Sequence, residues 1–414
     1  MTNSPEKAGL WSVRPYRHWL AQDFTSELST SMLVFTIPLI ALPVVGSELA
    51  AGGMLSLMLI VSTVVGLPGG TLVDRINRRT ALWVRSAAMV VVVSALAAAL
   101  YGFESSAIAI AVGCVCLGVV TGLFKSSSNI LLREIVPRSL FPRAVANNQA
   151  RDAALELSAA PFAGFLLAVG SFVPFLFIAL SHAIAFIATL RIPAALGEVK
   201  RSGESFVRDL GFGFRYLWRN PHLILSSLIV ALANFALTGA IVTLQLFLGT
   251  EGVDPAVIGL LLTATSLGMI LGAILAAKTV TRMRVGVILP AALLVVTVAF
   301  ASMTVLPTTV VALAAPMAVI GFVVPFSNTG LMSWLYMIVP AEFQGRVHSV
   351  GGLLSSIAVA VAPLTAGALL TLGSVQLSIA LLTLSIVLAI IVALASSTIR
   401  RIGRPGDWAV DVSE

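Results

Sequence analysis

The chain has 414 residues, of which 58% are hydrophobic and only 10% are charged. Soluble domains carry about 25% charged residues, so this composition excludes a chain that buries its apolar surface in one water-soluble core. A net charge of +7 in so apolar a chain indicates a surface that faces anionic lipid and gives no signal for nucleic acid.

Long uncharged stretches predict membrane-spanning helices. No Asp, Glu, Lys or Arg occurs between Arg284 and Glu342 or between Arg346 and Arg400, and each stretch is long enough for two spans of about 20 residues. Alternating β-barrel patterning is absent, so helices are the remaining way to satisfy the backbone in lipid. Breaks in apolarity predict twelve spans, near residues 19–45, 54–73, 81–100, 106–123, 150–169, 172–192, 222–248, 255–277, 286–305, 308–335, 349–372 and 374–398.

The predicted fold is an all-α integral membrane protein with twelve transmembrane helices in two six-helix bundles and both termini in the cytoplasm. All 25 Lys and Arg residues fall in, or within a few residues of, the connections and tails that this topology places inside, which satisfies the positive-inside rule. The predicted segments are a tail over residues 1–18, a bundle over 19–192, a connector with an amphipathic helix over 193–221, a bundle over 222–398 and a tail over 399–414.

The two predicted bundles resemble each other weakly. Ile135-Val136-Pro137 precedes Arg143 and an Ala160-Pro161 pair, and Ile338-Val339-Pro340 precedes Arg346 and an Ala362-Pro363 pair. Parallel six-helix repeats are typical of carriers that rock two bundles about a central site. The sequence has no nucleotide-binding loop of the Gly-x-x-x-x-Gly-Lys type, so we expect any energy source to be an ion gradient.

The most specific motif lies in the second predicted loop, which reads Gly70-Thr-Leu-Val-Asp74-Arg75-Ile-Asn77-Arg78-Arg79. It resembles the Gly-x-x-x-Asp-Arg-x-Gly-Arg-Arg loop of the major facilitator superfamily, and the layout of twelve spans extends the resemblance over the whole chain. The resemblance implies that Gly70, Asp74, Arg75, Arg78 and Arg79 form a cytoplasmic latch between the two halves. Asn77 replaces a Gly but also tolerates a left-handed turn. The alternative is a simple basic anchor at the membrane surface.

Two further segments resemble one branch of that superfamily, the enterobactin exporters and macrolide-efflux proteins. One is the connector from Phe206 to Pro221, whose apolar face and flanking basic residues predict an interfacial helix. The other runs from Ile135 to Gln149. The resemblance implies a multi-pass protein of a bacterial plasma membrane that exports small molecules and acts as a monomer.

A predicted kink in the fifth span also bears on the direction of transport. Ala160-Pro161-Phe-Ala-Gly164 is similar to a Gly-Pro-x-x-Gly element of exporters in the superfamily, although its first Gly is missing. Pro161 removes a backbone hydrogen bond and Gly164 permits close helix packing. The similarity implies outward transport, and a plain packing kink is the alternative.

Four acids are the candidates for proton coupling. Asp23 and Glu27 lie four residues apart on one face of the first span, and Asp152 and Glu156 have the same spacing at the start of the fifth. Carboxylates at the edge of a membrane usually face a cavity or a partner, and burial favours their neutral form, which suits them to reversible protonation. For Asp23 and Asp152 we expect interfacial ion pairs, and for Glu27 and Glu156 proton coupling. The superfamily's proton exporters often carry an Arg in the fourth span, and that span here has none, so the standard form of proton antiport is in question.

Other polar residues lie inside the predicted spans. Asn234, Gln245 and Asn328 are candidates for a substrate cavity, with an interhelical hydrogen bond as the alternative, and His182 is expected to form an interhelical hydrogen bond. Cys114 and Cys116 point in different directions on one helix and are expected to pack, so no metal or cofactor is predicted.

The sequence therefore predicts a secondary active transporter that exports a hydrophobic or amphipathic small molecule, of drug, macrolide or siderophore type, in exchange for protons. The alternatives are an uptake symporter of the same fold and a non-transporting membrane partner protein. An enzyme is not expected, because no His, Asp and Glu cluster has catalytic or metal-binding spacing.

Overall fold

The computed structural model describes residues 10–73, 76–102, 106–124, 127–137, 140–193, 206–306, 308–339 and 341–404. In these residues the regular structure is helical, with two single 3-10 turns at Leu10–Ser12 and Val280–Arg282. The helices are α1 (Arg14–Val45), α2 (Glu48–Val73), α3 (Arg78–Gly102), α4 (Ala107–Leu123), α5 (Ser127–Ile135), α6 (Phe141–Val169), α7 (Val173–Leu190), α8 (Phe206–Arg219), α9 (Pro221–Thr250), α10 (Pro255–Thr279), α11 (Val285–Val305), α12 (Val310–Ile338), α13 (Ala341–Leu372), α14 (Val375–Ala395) and α15 (Ser397–Arg400).

The predicted membrane character is confirmed by the helices. Ten of the described helices are long and apolar enough to cross a bilayer, and two shorter apolar segments lie at Ala107–Leu123 and Leu157–Val169. Together they match the twelve predicted spans. The orientation of the termini stays a prediction.

Four helices begin at least five residues earlier than predicted, and two of these are α2 at Glu48 and α13 at Ala341, whose predicted starts were near residues 54 and 349. α1 begins at Arg14 and α6 at Phe141, whereas loss of hydropathy placed the starts near residues 19 and 150. A helix does not end where its side chains become polar, because its backbone hydrogen bonds continue into the interfacial region. The longer starts bring Asp23 and Arg151 into the interior of their helices.

The chain divides into two compact units. Unit 1 comprises Met1–Val44 and Leu57–Gly203, and unit 2 comprises Val45–Ser56 and Glu204–Glu414. The predicted segment boundaries are not tested by this division, which assigns the first part of α2 to unit 2. There Ser56 accepts a hydrogen bond from the backbone N–H of Leu364 in α13 at 2.8 Å.

Helix starts in unit 2 are fixed by side chains that the sequence supplies at the right positions. Asp254 accepts a hydrogen bond from the backbone N–H of Ala256 at 2.7 Å, at the start of α10. Ser374 accepts one from Leu377 at 3.2 Å, at the start of α14. Such caps satisfy backbone donors that the first turn of a helix leaves unpaired, so they set where α10 and α14 begin.

Among its described side chains, the connector helix α8 packs on the rest of unit 2 through one face. Leu217 is buried with Leu223, Val339 and Val350, and the ring of Tyr216 lies 5.2 Å from that of Phe343. Trp218, the next residue along, is exposed. A helix with one buried apolar face and aromatic side chains exposed beside it is typical of an interfacial helix.

Glycines set the distance between α10 and α12. A Cβ atom at Gly272 would overlap the carbonyl oxygen of Phe322, and one at Gly321 would overlap that of Thr265. The two helix backbones therefore touch directly. Small residues are how membrane helices achieve such close contact, since lipid supplies no hydrophobic force between them.

We expect Gly272→Ala to destabilise the protein, because the new methyl group forces α10 and α12 apart at a cost of about 1–3 kcal/mol. The measurement is the midpoint of thermal unfolding of the purified protein. The matched control is Gly352→Ala in α13, where a Cβ atom meets nothing within 4 Å. Equal midpoints for the two variants would contradict the direct contact of the α10 and α12 backbones.

Candidate functional site

A buried ion pair joins α1 to α6 in unit 1. Nη1 of Arg151 lies 2.7 Å from Oδ2 of Asp23, and the two side chains are only 11% and 7% exposed. The other carboxylate oxygen of Asp23 accepts a hydrogen bond from the hydroxyl of Ser128 in α5. Because both oxygens of Asp23 are engaged, three helices meet at this carboxylate.

Trp19 holds the same three helices in register. Its indole N–H donates to the backbone oxygen of Ser128 at 2.9 Å, and the guanidinium of Arg151 lies 6.0 Å from the centre of its ring. A cation at this distance from an indole face is attracted by the ring quadrupole. Trp19 thus orients both partners of Asp23.

Asp152 completes the ion-pair cluster at its exposed edge. Nη2 and Nε of Arg151 donate to Oδ1 of Asp152 at 2.7 and 3.1 Å. The side chain of Asp152 is 55% exposed. Arg151 therefore bridges one buried and one exposed carboxylate, and the structure brings Asp23 and Asp152 together through it.

Glu27 lies one turn after Asp23 on α1 but is held differently. Its side chain is exposed, and none of the described side chains forms an ion pair with it. Arg85 and Asp23 lie within electrostatic reach, as do Arg151 and Asp152. Glu27 is thus an exposed carboxylate within electrostatic reach of the buried Arg85 and the partly buried Arg151.

Arg85 is the residue of this region that sequence reasoning missed. By sequence, Arg85 is counted with the basic residues of the loop before α3, but α3 begins at Arg78. Arg85 therefore lies seven residues, or about 10 Å, inside the helix. It is 6% exposed, and its Nε has no hydrogen-bond acceptor among the described atoms. The helical register from Arg78 was the signal that would have revealed it.

His182 in α7 lies near Arg85 and is fully buried. Neither ring nitrogen has a hydrogen-bond partner among the described residues. The interhelical hydrogen bond expected for His182 is therefore not seen there. Arg85 and His182 therefore bring α3 and α7 together, and Arg85 lies within electrostatic reach of Glu27 on α1.

The side chain of Glu156, the fourth acid predicted for coupling, lies outside the described part of the structure, although its backbone is in α6. The same helix contains Pro161 without interruption, and Gly164 in it is buried.

The predicted latch loop is described only in part. Gly70 lies near the end of α2, while Asp74 and Arg75 fall outside the described residues. Arg78 forms an ion pair with Glu134 of α5. Arg79 donates to the backbone oxygen of Leu190 at 2.7 Å, at the carbonyl end of α7. Arg78 and Arg79 therefore tie the start of α3 to other helices of unit 1.

Unit 2 brings two of the three predicted substrate-cavity residues together. Asn234 of α9 and Asn328 of α12 line one cavity of about 50 Å³, whose other walls are mostly aliphatic. Asn234 also donates to the hydroxyl of Ser355 in α13 at 2.7 Å. Gln245, by contrast, is 1% exposed and does not line this cavity.

Comparison with solved structures identifies the fold. A crystal structure of the nucleoside transporter NupG superposes with a TM-score of 0.75 at 11% identity, covering 92% of this chain and 99% of that one. A bacterial homologue of the iron transporter ferroportin gives 0.71 at 16% identity, covering 94% and 99%. A D-xylose-proton symporter gives 0.67 at 14% identity, covering 94% and 98%. At these identities the likeness shows a shared fold, that of multi-pass membrane transporters.

Sequence comparison then gives the family. The family model of the Major Facilitator Superfamily matches residues 23–363 and 226–409. The chain belongs to the Major Facilitator Superfamily. No curated protein matches the chain in sequence.

Proposed function

We propose that the protein is a proton-coupled exporter that moves a hydrophobic or amphipathic small molecule out of the cell by alternating access. The observation that carries the proposal is the Asp23–Glu27 face of α1, where an exposed carboxylate lies beside buried cations. A carboxylate in this setting changes its interactions when it gains or loses a proton, which is what coupling requires.

The four predicted acids divide into different roles by their contacts. Asp23 is engaged by Arg151 and Ser128, so protonating it would break a buried ion pair. We therefore assign Asp23 a structural role and Asp152 the role of its exposed counterpart. Glu27 has no such ion pair among the described side chains, so we assign coupling to Glu27.

Arg85 supports proton exchange where the fourth span offers no Arg. α4 carries no charged residue, and the buried guanidinium of Arg85 in α3 lies within electrostatic reach of Glu27. A buried charge without a contact partner is costly in a membrane protein. The charge of Arg85 is therefore stabilised most when Glu27 is ionised. Protonation of Glu27 would remove this stabilisation and so affect the contacts between α1 and α3.

The substrate class is proposed from the cavity walls. The cavity that contains Asn234 and Asn328 is otherwise lined mostly by aliphatic side chains, with no charged residue among those described. The chemistry of these walls suits the apolar part of a molecule with a few polar groups, while a volume of about 50 Å³ is smaller than that of a usual ligand pocket, so the support comes from the lining and not from the size. The solved relatives are a nucleoside transporter, an iron-transporter homologue and a D-xylose-proton symporter, so shared fold alone selects no substrate.

Outward direction is proposed from the Ala160-Pro161-x-x-Gly164 segment. The alternative, an uptake symporter of the same fold, predicts the opposite change in substrate accumulation. We also propose a plasma-membrane location in a bacterium, a monomeric state and cytoplasmic termini. The latch role of Gly70, Asp74, Arg75, Arg78 and Arg79 remains part of the proposal.

The test is a resistance and efflux screen in a bacterial host that lacks its own drug pumps. Hydrophobic drugs, macrolides and siderophores are presented to cells that express the wild type, the Glu27→Gln variant or no transporter. Export predicts lower accumulation of at least one compound in wild-type cells than in cells without the transporter. It also predicts that the accumulation of that compound rises again when a protonophore dissipates the proton gradient. Higher accumulation in wild-type cells would instead support uptake, and unchanged accumulation of every compound would overturn the proposal.

A further inference from the structure

A second cavity in unit 2 lies beside the one that contains Asn234 and Asn328. It has a volume of about 230 Å³ and lies between α9, α12 and α13. The two cavities share Val230 as a wall. Since Asn234 lines one and Ser355 lines the other, the hydrogen bond between them spans the boundary.

Two adjacent glycines open the α13 wall of this cavity. A Cβ atom at Gly352 would meet nothing within 4 Å, while one at Gly351 would lie 3.1 Å from the hydroxyl of Ser227. Gly352 thus presents bare helix backbone to empty space. Unlike Gly272, it touches no neighbouring helix, so a side chain at this position would take up space at the cavity wall.

The size of the cavity sets the size of its occupant. An apolar cavity of about 150 Å³ in a protein interior takes up benzene. A cavity of about 230 Å³ therefore has room for a larger group, such as a fused pair of aromatic rings.

The walls set the chemistry of the occupant. Six of the wall residues have apolar side chains and two are glycines, while the polar wall residues are Ser226, Ser227, Gln344, His348 and Ser355. The described wall residues include no Asp, Glu, Lys or Arg, so a charged ligand would lose its hydration here without a carboxylate, ammonium or guanidinium group to offset its charge. The hydroxyl of Ser227 donates to its own helix, to the backbone oxygen of Leu223 at 3.0 Å, which leaves an oxygen lone pair to accept a hydrogen bond from a ligand.

Ser355 offers the complementary group. Its oxygen accepts from Asn234, so its O–H remains to donate to a ligand acceptor. We propose that this α9–α12–α13 cavity is a binding site for an uncharged, ring-bearing apolar molecule with one or two hydrogen-bonding groups. Its role in transport rests on the proposed function, but binding itself does not.

The test uses the neutral dye N-phenyl-1-naphthylamine, which has aromatic rings, one N–H donor and fluorescence that rises in apolar surroundings. Purified protein is titrated with the dye in detergent. Gly352→Leu fills the cavity, and Gly211→Leu is the matched control, because a Cβ atom at Gly211 also meets nothing within 4 Å but lies on α8. We expect saturable binding in the wild type and in Gly211→Leu, and a dissociation constant at least about tenfold higher, or 1.4 kcal/mol, in Gly352→Leu.

A second variant keeps the test decisive if Gly352→Leu does not fold. Gly352→Cys, in a background with Cys114 and Cys116 replaced by Ala, adds a small thiol to the cavity wall. The dye should slow the reaction of this thiol with N-ethylmaleimide. No saturable binding in the wild type, unchanged binding in folded Gly352→Leu, or no protection of the thiol would each overturn the proposal.

Transport measurements separate this inference from the proposed function. If Gly352→Leu weakens saturable dye binding but the protein moves no compound against a gradient, the binding site is supported and the exporter role is contradicted. If the protein exports a compound in a proton-driven way but Gly352→Leu does not change dye binding, the binding site is contradicted and the exporter role stands.

Discussion

Replacing Glu27 by Gln is expected to reduce gradient-driven efflux to the level of cells without the transporter. Glutamine keeps the length and shape of the side chain but cannot exchange a proton. Downhill exchange of the same substrate across the membrane should continue, because it needs no net proton movement. The measurement compares uphill efflux from energised vesicles with substrate exchange at zero gradient.

The control for this substitution is Glu251→Gln. Glu251 is exposed and follows the end of α9, in unit 2 rather than on α1. Its replacement should leave both activities at the wild-type level. Normal uphill efflux in Glu27→Gln would show that another group couples transport to protons, and Glu156 would be the first candidate for that group.

Replacing Asp23 by Asn is expected to lower stability by about 3–5 kcal/mol, the usual cost of removing one partner from a buried ion pair. A neutral amide in place of this carboxylate would leave the buried guanidinium of Arg151 with only an exposed ionic partner, Asp152. The measurement is the thermal unfolding midpoint of the purified protein, read beside its expression level.

Asp152→Asn is the matched control for Asp23→Asn. Both substitutions take one carboxylate from Arg151, but Asp152 is 55% exposed whereas Asp23 is 7% exposed. Exposed ion pairs contribute about 0–1 kcal/mol, so Asp152→Asn should leave the unfolding midpoint almost unchanged. Equal losses from the two substitutions would contradict a structural role for the buried pair.

The sequence predicted the membrane fold because the signal for a spanning helix is local. An apolar stretch of sufficient length must be helical in lipid whatever surrounds it. The same reasoning placed Asp23 and Glu27 on one face of α1, since a spacing of four residues fixes that relation within a helix. The starts of α1 and α6 were less accurate because a polar end of a helix carries no hydropathy signal.

What the sequence did not predict depends on which helices meet. Asn234 and Asn328 were singled out separately, and only the packing of α9 on α12 shows that they line one cavity. Arg151 lies at the edge of the predicted fifth span and was counted with the basic residues of the loop before it, and its pairing with Asp23 requires α6 to lie against α1. Gly352 carries no chemistry of its own, so its importance is visible only as empty space beside α13.

The division of roles between Asp23 and Glu27 shows the same limit. The sequence predicts an interfacial ion pair for Asp23 and proton coupling for Glu27, but it does not name the partner of Asp23. The tertiary contacts supply that partner, because Ser128 and Arg151 engage Asp23 and no described side chain forms an ion pair with Glu27. The division itself is therefore a sequence prediction, and the contacts support it.

The most direct test of proton-coupled export is substrate transport by the purified protein in proteoliposomes, with and without an imposed pH gradient. A pH-sensitive dye in the lumen reports proton movement while substrate is measured at the same time. We expect the wild type to concentrate substrate only when the gradient is present, with substrate and protons moving in opposite directions. Equal substrate movement with and without the gradient, and no substrate-dependent proton flux, would contradict proton-coupled export.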